Sequence, residues 1–367
     1  MKKILICVPD LKNSCGGPTT SIINQINLLK KHNYEVNILS LTIDKELIVG
    51  NSNKFFIINQ NLNKKNIFKK IYKIFKIVTD HDMVHIHSFW SKFVFFLIII
   101  SKFNRKKIVI TPHGMLRRRD CQNDKFKLFL LKFIKYIFLD VDYFQFLTEE
   151  EKLDTVDYIS KKSKYIIQSN WVRKINNNFA YKSKYNKELF NIVFLGRIHP
   201  VKRIDFQIKL ISLLNEENIN CNLNIIGPIS DQNYYEQLKE LAKRFNISNQ
   251  IKFLGPIYNQ EKFAYIKYSD CCLLTSKHES NSMSALEIMQ SAAILIASKE
   301  CSLSKASEYG AIIEASFDLN IFYEIIKSLL IKKSINGELI REKAQKYIQK
   351  FHSEKKALKK FESIYGD

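Results

Sequence analysis

The feature that most constrains the fold is an alternation of short apolar runs with segments of helical periodicity. Apolar runs of four to eight residues have the length of strands buried on both faces. Strands are predicted at 3–8, 36–41, 83–87, 107–111, 141–147, 191–195, 221–226, 251–254, 271–274 and 293–297. Helices are predicted between these strands, for example at 21–31 and 234–245, and Thr148 is predicted to cap another. The last predicted helix is long and runs from 337 to about 361. This alternation favours parallel sheets covered by helices.

A polar, Asn- and Lys-rich stretch at 174–188 interrupts the alternation. The length of 367 residues suits two domains. We therefore predict a first domain at 1–175, a linker at 176–190, a second domain at 191–350 and a C-terminal helix at 351–367 that returns to the first domain. The predicted fold class is α/β, with two doubly wound, Rossmann-like domains facing across a cleft. Ligands bind such sheets outside the carboxyl ends of the strands.

Apolar segments long enough for export or membrane insertion are not found in the sequence. The run at 4–8 ends at Pro9 and is shorter than a signal-peptide core, and the longest apolar run, 93–100, is far below the roughly 20 residues of a membrane span. Seven scattered cysteines form no C-x-x-C pair, which is typical of reduced thiols. We expect a cytoplasmic protein.

The net charge of +22 predicts an anionic partner, and the excess of Lys and Arg lies mostly in residues 1–180. Segments 64–78 and 125–139 read as basic amphipathic helices. Such helices suit an anionic membrane surface. The alternative is that their apolar sides pack on the sheet and their lysines are only solvated. In the first segment the apolar side comprises Ile67, Phe68, Ile71, Ile74, Phe75 and Val78.

A pair of cations follows the first strand of the second domain. Gly196 ends that strand and permits a close turn, and Arg197 and Lys202 flank the start of the next helix. A guanidinium and an ammonium at this place suit two phosphates and the charge of a leaving diphosphate. The alternative is a basic surface turn in a basic protein.

A pair of carboxylates, Glu279 and Glu287, brackets a Ser/Asn-rich helix start after a later strand. This start supplies N-cap side chains and free backbone amides near Ser282, Met283 and Ser284, which suit an anion. The two carboxylates are well separated and suit the hydroxyls of a sugar and of a ribose. The alternative is an ordinary capped surface helix.

Taken together, these segments resemble the retaining glycosyltransferases of family 4, which have the GT-B fold, over nearly the whole chain. The resemblance rests on several short segments that occur in the family's order. They are Gly16-Gly17, His85-Ile86-His87, Thr111-Pro112-His113-Gly114-Met115-Leu116, Phe194 to Asp205, Ile226-Gly227-Pro228, Phe253-Leu254-Gly255-Pro256 and the E-x7-E element of Glu279 and Glu287. The segment around His113 resembles members that build bacterial surface polysaccharides.

The resemblance implies a role for each of these residues. Arg197 and Lys202 would contact the donor diphosphate, with the amides near Ser282, Met283 and Ser284. Glu279 would bind the donor sugar and Glu287 the nucleotide ribose. Gly16 and Gly17 would let the first domain approach the phosphates, and His113 would lie at the reaction centre. Catalysis would retain the anomeric configuration without a metal or other cofactor.

The chain departs from the family pattern at several positions. Asn281 and Ser282 replace an aromatic residue and a Gly, Arg203 stands where Gly is frequent, and Ala292 and Ile294 replace Gly and Pro. Gln168-Ser169-Asn170-Trp171 replaces a Pro-Asn-Gly segment. None of these departures removes a charged side chain that would bind the donor. They therefore affect the geometry of donor binding and not the class of reaction.

The expected protein is a hexosyltransferase on the cytoplasmic face of the inner membrane. It would move sugar from a nucleotide-diphosphate donor to a lipid-linked oligosaccharide of O-antigen, capsule or exopolysaccharide. Asp140-Val141-Asp142 is a D-x-D, but it precedes the nucleotide-binding half and is interpreted as structural rather than as a metal site. The alternatives are a nucleic-acid-binding protein, which no zinc or helix-turn-helix pattern supports, and an α/β epimerase or sugar phosphorylase.

Overall fold

A computed structural model describes residues 2–48, 54–58, 67–117, 138, 140–173, 189–258, 260–279, 281–331 and 335–366. The chain divides into two compact units, Met1–Asn170 with Glu354–Asp367, and Trp171–Ser353. The predicted basic helix at 125–139 falls, apart from residue 138, outside the described residues, and so does most of the predicted linker at 176–190.

The first unit is built on a parallel sheet of seven described strands in the order β3-β2-β1-β4-β5-β6-β7. The strands are β1 (Lys3–Leu11), β2 (Glu35–Ile43), β3 (Phe55–Ile57), β4 (Met83–His87), β5 (Lys107–Thr111), β6 (Tyr143–Phe146) and β7 (Lys164–Ile167). The chain reverses its direction of winding between β1 and β4, which is the position where open α/β sheets bind ligands.

The second unit repeats this plan with six described strands in the order β10-β9-β8-β11-β12-β13. The strands are β8 (Phe190–Leu195), β9 (Cys221–Ile226), β10 (Ile251–Gly255), β11 (Cys271–Leu274), β12 (Leu295–Ser298) and β13 (Ile313–Ala315). They pair in parallel, for example Cys272 with Val193. The reversal of winding therefore lies between β8 and β11.

Helices connect the strands in both units. They are α1 (Gly17–Lys31), α2 (Lys45–Ile48), α3 (Ile67–Thr79), α4 (Lys92–Phe103), α5 (Glu149–Thr155), α6 (Ile204–Glu216), α7 (Gln232–Arg244), α8 (Gln260–Tyr268), α9 (Met283–Gln290), α10 (Ser304–Glu308), α11 (Leu319–Ile331), α12 (Ile335–Phe351) and α13 (Glu354–Tyr365). None of the described helices is long and apolar enough to cross a bilayer. As predicted, the Thr148 side chain caps α5 by accepting a hydrogen bond from the backbone N–H of Glu151.

Alternating side chains of the second sheet enter two separate cores. Ile192 and Phe194 of β8 pack on one face, while Val193 and Leu195 pack on the other. Burial on both faces explains why these strands read as continuous apolar runs. The predicted two-unit α/β architecture is thus confirmed.

The prediction of one long last helix is wrong, because α12 and α13 are separate helices. Ala344 and Ile348 of α12 are buried in the second unit, whereas Phe361 and Tyr365 of α13 are buried in the first. Helix α12 ends where the chain leaves the second unit, and α13 begins where it packs on the first unit. The backbone carbonyl of His352, at this break, accepts a hydrogen bond from Val172 N–H.

The predicted apolar side of α3 is divided between the core and the surface. Ile74 and Val78 are buried, which agrees with the alternative that this side packs on the sheet, but Phe68 is 81% exposed and Ile71 is 38% exposed. Buried Ile77 completes the face that packs on the sheet. Phe68, Ile71 and Tyr72, in the first half of α3, therefore lie at the surface.

Candidate active site

Glycines end the central strands of the second sheet and bring their backbones into close contact. Gly196 N–H donates to the carbonyl of Ile226, and Gly227 N–H donates to the carbonyl of Gly255. A Cβ added to Gly227, whose φ is +153°, would lie 1.9 Å from the carbonyl oxygen of Gly196. Only glycine fits here, and the close approach fixes the path of the chain as it leaves β8.

The turn after β8 is joined to the loop after β11 by hydrogen bonds. The Thr275 hydroxyl lies 3.1 Å from the carbonyl oxygen of Lys202 and 3.2 Å from that of Arg203, and it can donate to either. Lys277 N–H donates to the carbonyl of Val201 at 2.8 Å. These contacts bring together, at the reversal of winding, the two loops that carry the predicted cations and carboxylates.

Lys202 and Glu279 form an ion pair across these two loops. The Lys202 ammonium contacts Glu279 Oε1, and each side chain is only 13% exposed. The Ser276 hydroxyl donates to the same carboxylate oxygen at 2.7 Å. The sequence predicted both residues as ligands of one donor but not their direct contact. An anion near Lys202 would compete with Glu279 for the ammonium.

Arg197, the second predicted cation, forms no hydrogen bond or ion pair with any residue in the described part of the chain. It lies directly after Gly196 and is partly buried. Burial, and then the charge of Arg197, lower the pKa of neighbouring His199 below its usual value. The guanidinium thus keeps its donors available for an anionic ligand.

The amino end of α9 lies in the same loop region. Ser282 is its N-cap and its hydroxyl accepts a hydrogen bond from Ala285 N–H at 3.4 Å. Backbone amides of a first helical turn, here those of Met283 and Ser284, have no partner within their helix. Ser282 therefore has a structural reason to stand where the family pattern has Gly: it caps the helix.

Glu287 pairs with a cation that sequence reasoning missed. Lys262 Nζ of α8 lies 2.8 Å from Glu287 Oε1, and both side chains are 13% exposed. Nothing near Lys262 in the sequence indicates this role, since it is one of many lysines. Only the packing of α8 against α9 brings the two residues together.

Two other departures from the family pattern occupy left-handed backbone. Arg203 has φ +53° and Ala292 has φ +55°. Glycine adopts this conformation freely, whereas other residues pay roughly 1–2 kcal/mol. At Arg203 the side chain offsets part of the cost, because its guanidinium stacks on Phe317 at 4.3 Å and lies 3.6 Å from Asp205 Oδ2.

Gly16 and Gly17 follow β1 in the first unit, beside its own reversal of winding. Gly16 has φ +67° and ends a 3₁₀ turn at Asn13–Cys15, and Gly17 begins α1. This glycine conformation explains the Gly16 position without a ligand. The role of both glycines in donor binding stays a prediction.

His113 belongs to a cluster of three histidines in the first unit. The rings of His85 and His87, on β4, stack with centroids 4.4 Å apart. His113 follows β5, and its Nε2 lies 2.9 Å from His87 Nδ1. Tyr365 OH lies 2.5 Å from His85 Nδ1, and Thr111 Oγ1 lies 2.7 Å from His85 Nε2.

The three imidazoles are held neutral. Burial lowers the pKa of His85 to about 3 and that of His113 to about 4, and it places the pKa of His87 well below its usual value. Because His87 and His113 are both neutral, one ring nitrogen of their hydrogen bond carries the proton and the other accepts it. Near pH 7 His113 can thus orient an oxygen, but it contributes no positive charge.

Glu151 holds the turn that carries His113 and was not recognised as a site residue from the sequence. His113 has φ +52°. Glu151 is fully buried and accepts hydrogen bonds from Gly114 N–H at 2.5 Å and Leu147 N–H at 2.7 Å. The T-x-x-E pattern of a capping box was its only signal.

Asp142 of the D-x-D serves the backbone. Its carboxylate accepts a hydrogen bond from Ile108 N–H at 2.7 Å. This contact ties the start of β5 to the approach to β6, in agreement with a structural interpretation. Across the described ranges, no three His, Cys, Asp or Glu side chains are grouped so as to hold a metal ion.

Residues 176–351 match the model of the family described as "Glycosyl transferases group 1". This segment holds the ion pairs of Lys202 with Glu279 and of Lys262 with Glu287. No curated protein matches the sequence.

Solved structures resemble the chain over almost its full length. The Anabaena protein HepE, in complex with UDP and glucose, has a TM-score of 0.81 at 14% identity, with 99% of each chain covered. Sucrose-phosphate synthase from Thermosynechococcus elongatus has a TM-score of 0.76 at 13% identity, covering 99% of this chain and 98% of the other. WaaG, a glycosyltransferase involved in lipopolysaccharide biosynthesis, has a TM-score of 0.71 at 12% identity, covering 99% and 100%.

At these identities the likeness concerns the fold. The prediction of two doubly wound α/β units of the GT-B type is confirmed, and the second unit accounts for the family match. The chain therefore has a GT-B fold, and over residues 176–351 it is similar to the glycosyl transferases group 1.

Proposed function

We propose that this protein is a glycosyltransferase that takes a sugar from a nucleotide-diphosphate donor. One observation carries the proposal: unpaired Arg197 and the Lys202–Glu279 pair stand together where the winding of the second sheet reverses. Ligands of open α/β sheets bind at this place. The family match over the same unit supports the assignment.

The donor diphosphate would lie between the two cations and the amino end of α9. Arg197 offers a planar set of N–H donors, and Lys202 offers a point charge. When Lys202 turns to the diphosphate, Glu279 still accepts a hydrogen bond from Ser276. The cations stabilise the charge that develops on the diphosphate as it leaves.

The carboxylates would hold the hydroxyl groups at either end of the donor. Glu279, beside Lys202, binds hydroxyls of the transferred sugar. Glu287, oriented by Lys262, binds the ribose. Carboxylates accept hydrogen bonds from hydroxyls, and their separation along α9 suits a ligand with two polyhydroxyl ends.

The reaction we propose retains the configuration of the anomeric carbon and needs no metal. The bond from that carbon to the diphosphate oxygen breaks, and the acceptor hydroxyl oxygen forms the new bond on the same face. The hydroxyl proton passes to the departing diphosphate. His113, neutral near pH 7, orients an oxygen rather than carrying charge.

For the acceptor we propose a lipid-linked oligosaccharide of a surface polysaccharide, reached from the cytoplasmic face of the inner membrane. The involvement of WaaG in lipopolysaccharide biosynthesis supports this context. UDP-glucose, which is bound in one HepE structure, is the first candidate donor to test for this chain.

Turnover is tested by following nucleotide release from a panel of nucleotide sugars, with and without a lipid-linked acceptor. We expect release that requires acceptor, continues in EDTA and gives a product of unchanged anomeric configuration by NMR. Release without acceptor, or interconversion of the sugar, would assign the site to a hydrolase or an epimerase. Complete loss in EDTA with recovery in Mn²⁺ would contradict the metal-free mechanism.

A further inference from the structure

Two neighbouring helices of the first unit, α3 and α4, carry an apolar surface that the fold does not use. Phe68, Tyr72 and Phe103 are 81%, 69% and 79% exposed, and they are among the most exposed large hydrophobic side chains of the described chain. Ile71 and Ile99 are 38% and 50% exposed. We call these five residues the α3–α4 patch.

The patch is continuous across the two helices. The rings of Phe75 and Phe103 are in contact, with centroids 6.2 Å apart. The carboxyl ends of both helices lie side by side, because the Thr79 hydroxyl donates to Asn104 Oδ1 at 3.0 Å. Ile71 and Ile99 each stand one helical turn before this contact, so they belong to the same face.

The charged side chains on the two helices that carry the patch are all positive. Helices α3 and α4 contain six lysines and no Asp or Glu. Lys69, Lys73 and Lys76 are exposed, and none of them forms an ion pair with a described residue. A soluble surface normally mixes charges of both signs around its apolar residues.

Aromatic and aliphatic side chains flanked by lysines match the chemistry of a membrane interface. Apolar side chains enter the boundary between headgroups and acyl chains, and each lysine near an anionic surface adds about 1 kcal/mol. Nucleic acid would use the lysines and stack on aromatic rings, but it has no use for exposed Ile71 and Ile99. The occupant that uses every feature of the patch is an anionic lipid bilayer.

We propose that the α3–α4 patch docks the protein on an anionic bilayer. The proposal concerns the first unit alone and holds whether or not the second unit transfers a sugar. It replaces the broader sequence-based expectation, in which Ile74 and Val78 belonged to the docking face; both are buried in the core.

The test is co-sedimentation of the full-length protein with phosphatidylcholine vesicles and with vesicles containing phosphatidylglycerol. We expect binding to the anionic vesicles only. Replacing Lys69, Lys73 and Lys76 with Gln should weaken it roughly 100-fold, from about 1 kcal/mol for each lysine. Leu153→Gln, at a side chain 61% exposed elsewhere in the first unit, is the control for replacing exposed apolar side chains with Gln and should bind like the wild type.

A second readout places the patch itself in the bilayer. We expect Phe103→Trp to shift its fluorescence to the blue with anionic vesicles, and Phe68→Gln with Tyr72→Gln to lower affinity at least about tenfold. Equal, negligible binding to both kinds of vesicle would overturn the proposal. So would unshifted Phe103→Trp emission, or binding of DNA but not of vesicles through the same lysines.

Discussion

Lys262→Met offers a quantitative test of the site, because it removes one half of a nearly buried ion pair and keeps most of the side-chain volume. Lys262 Nζ and Glu287 Oε1 are 2.8 Å apart. At an effective dielectric constant of about 20, their Coulomb attraction is about 6 kcal/mol. Desolvation of both ions offsets most of this, so the net worth of the pair is small.

Removing one partner lowers the free energy of unfolding by more than the net contribution of the pair, because the other charge stays buried without its partner. Loss of one member of a buried pair typically costs about 3–5 kcal/mol. Both side chains here retain 13% exposure, so we expect about 3 kcal/mol, the lower end of this range. Lys239→Met is the control, since its pair with Glu236 is about half exposed and solvent screening should leave it with little effect on stability.

The assay is equilibrium unfolding in urea, followed by the fluorescence of Trp171 in a Trp90→Phe background. Trp171 is buried in the second unit, so its emission reports the unit that contains the pair. A double change, Lys262→Met with Glu287→Leu, should recover most of the lost stability because no charge is left unpaired. A loss no larger than that of Lys239→Met, or additive effects in the double variant, would refute the reasoning.

Three further predictions concern the backbone and the histidine cluster. Gly227→Ala should cost about 3 kcal/mol or more of unfolding free energy, since its Cβ would lie 1.9 Å from the oxygen of Gly196; Gly255→Ala, with open space around its Cβ, should cost only about 1–2 kcal/mol. Ala292→Gly should raise stability by up to about 1 kcal/mol, because it relieves φ +55°; an unchanged urea midpoint would contradict this. A histidine has a pKa near 6.5 in the unfolded chain, whereas burial lowers the pKa of His113 to about 4. The free energy of unfolding should therefore fall as the pH drops between these values, by about 1.4 kcal/mol per pH unit from His113 alone. In His113→Asn the free energy of unfolding should depend less steeply on pH.

The strands of the fold could be predicted where they are apolar on both faces. The ends of β4, β5, β9 and β11 agree with the predicted residues. Short edge strands such as β3, β7 and β13 were missed, because runs of three or four residues are too short to give a periodic signal. The break between α12 and α13 was missed because it depends on which unit each helix packs against, and helical periodicity carries no such information.

For the site, the sequence predicted which charged residues matter but not how they pair. Arg197, Lys202 and Glu279 come together because they follow strands that are neighbours in the sheet. Glu287 was predicted to face a ribose, yet its Lys262 partner comes from another helix and is one lysine among many. Glu151 was seen as part of a helix start, while its contact with Gly114 depends on a loop 37 residues away.

The central claim is that the cluster at the reversal of the second sheet binds a nucleotide-diphosphate sugar. The most direct test is titration calorimetry with the best donor of a nucleotide-sugar panel. The account predicts that Arg197→Ala, Lys202→Met, Glu279→Gln and Glu287→Gln each weaken binding at least about tenfold, since each removes a charge-assisted contact. Glu236→Gln and Lys239→Met, an exposed pair in the same unit, should leave it unchanged. Wild-type affinity in all four site variants would contradict the account.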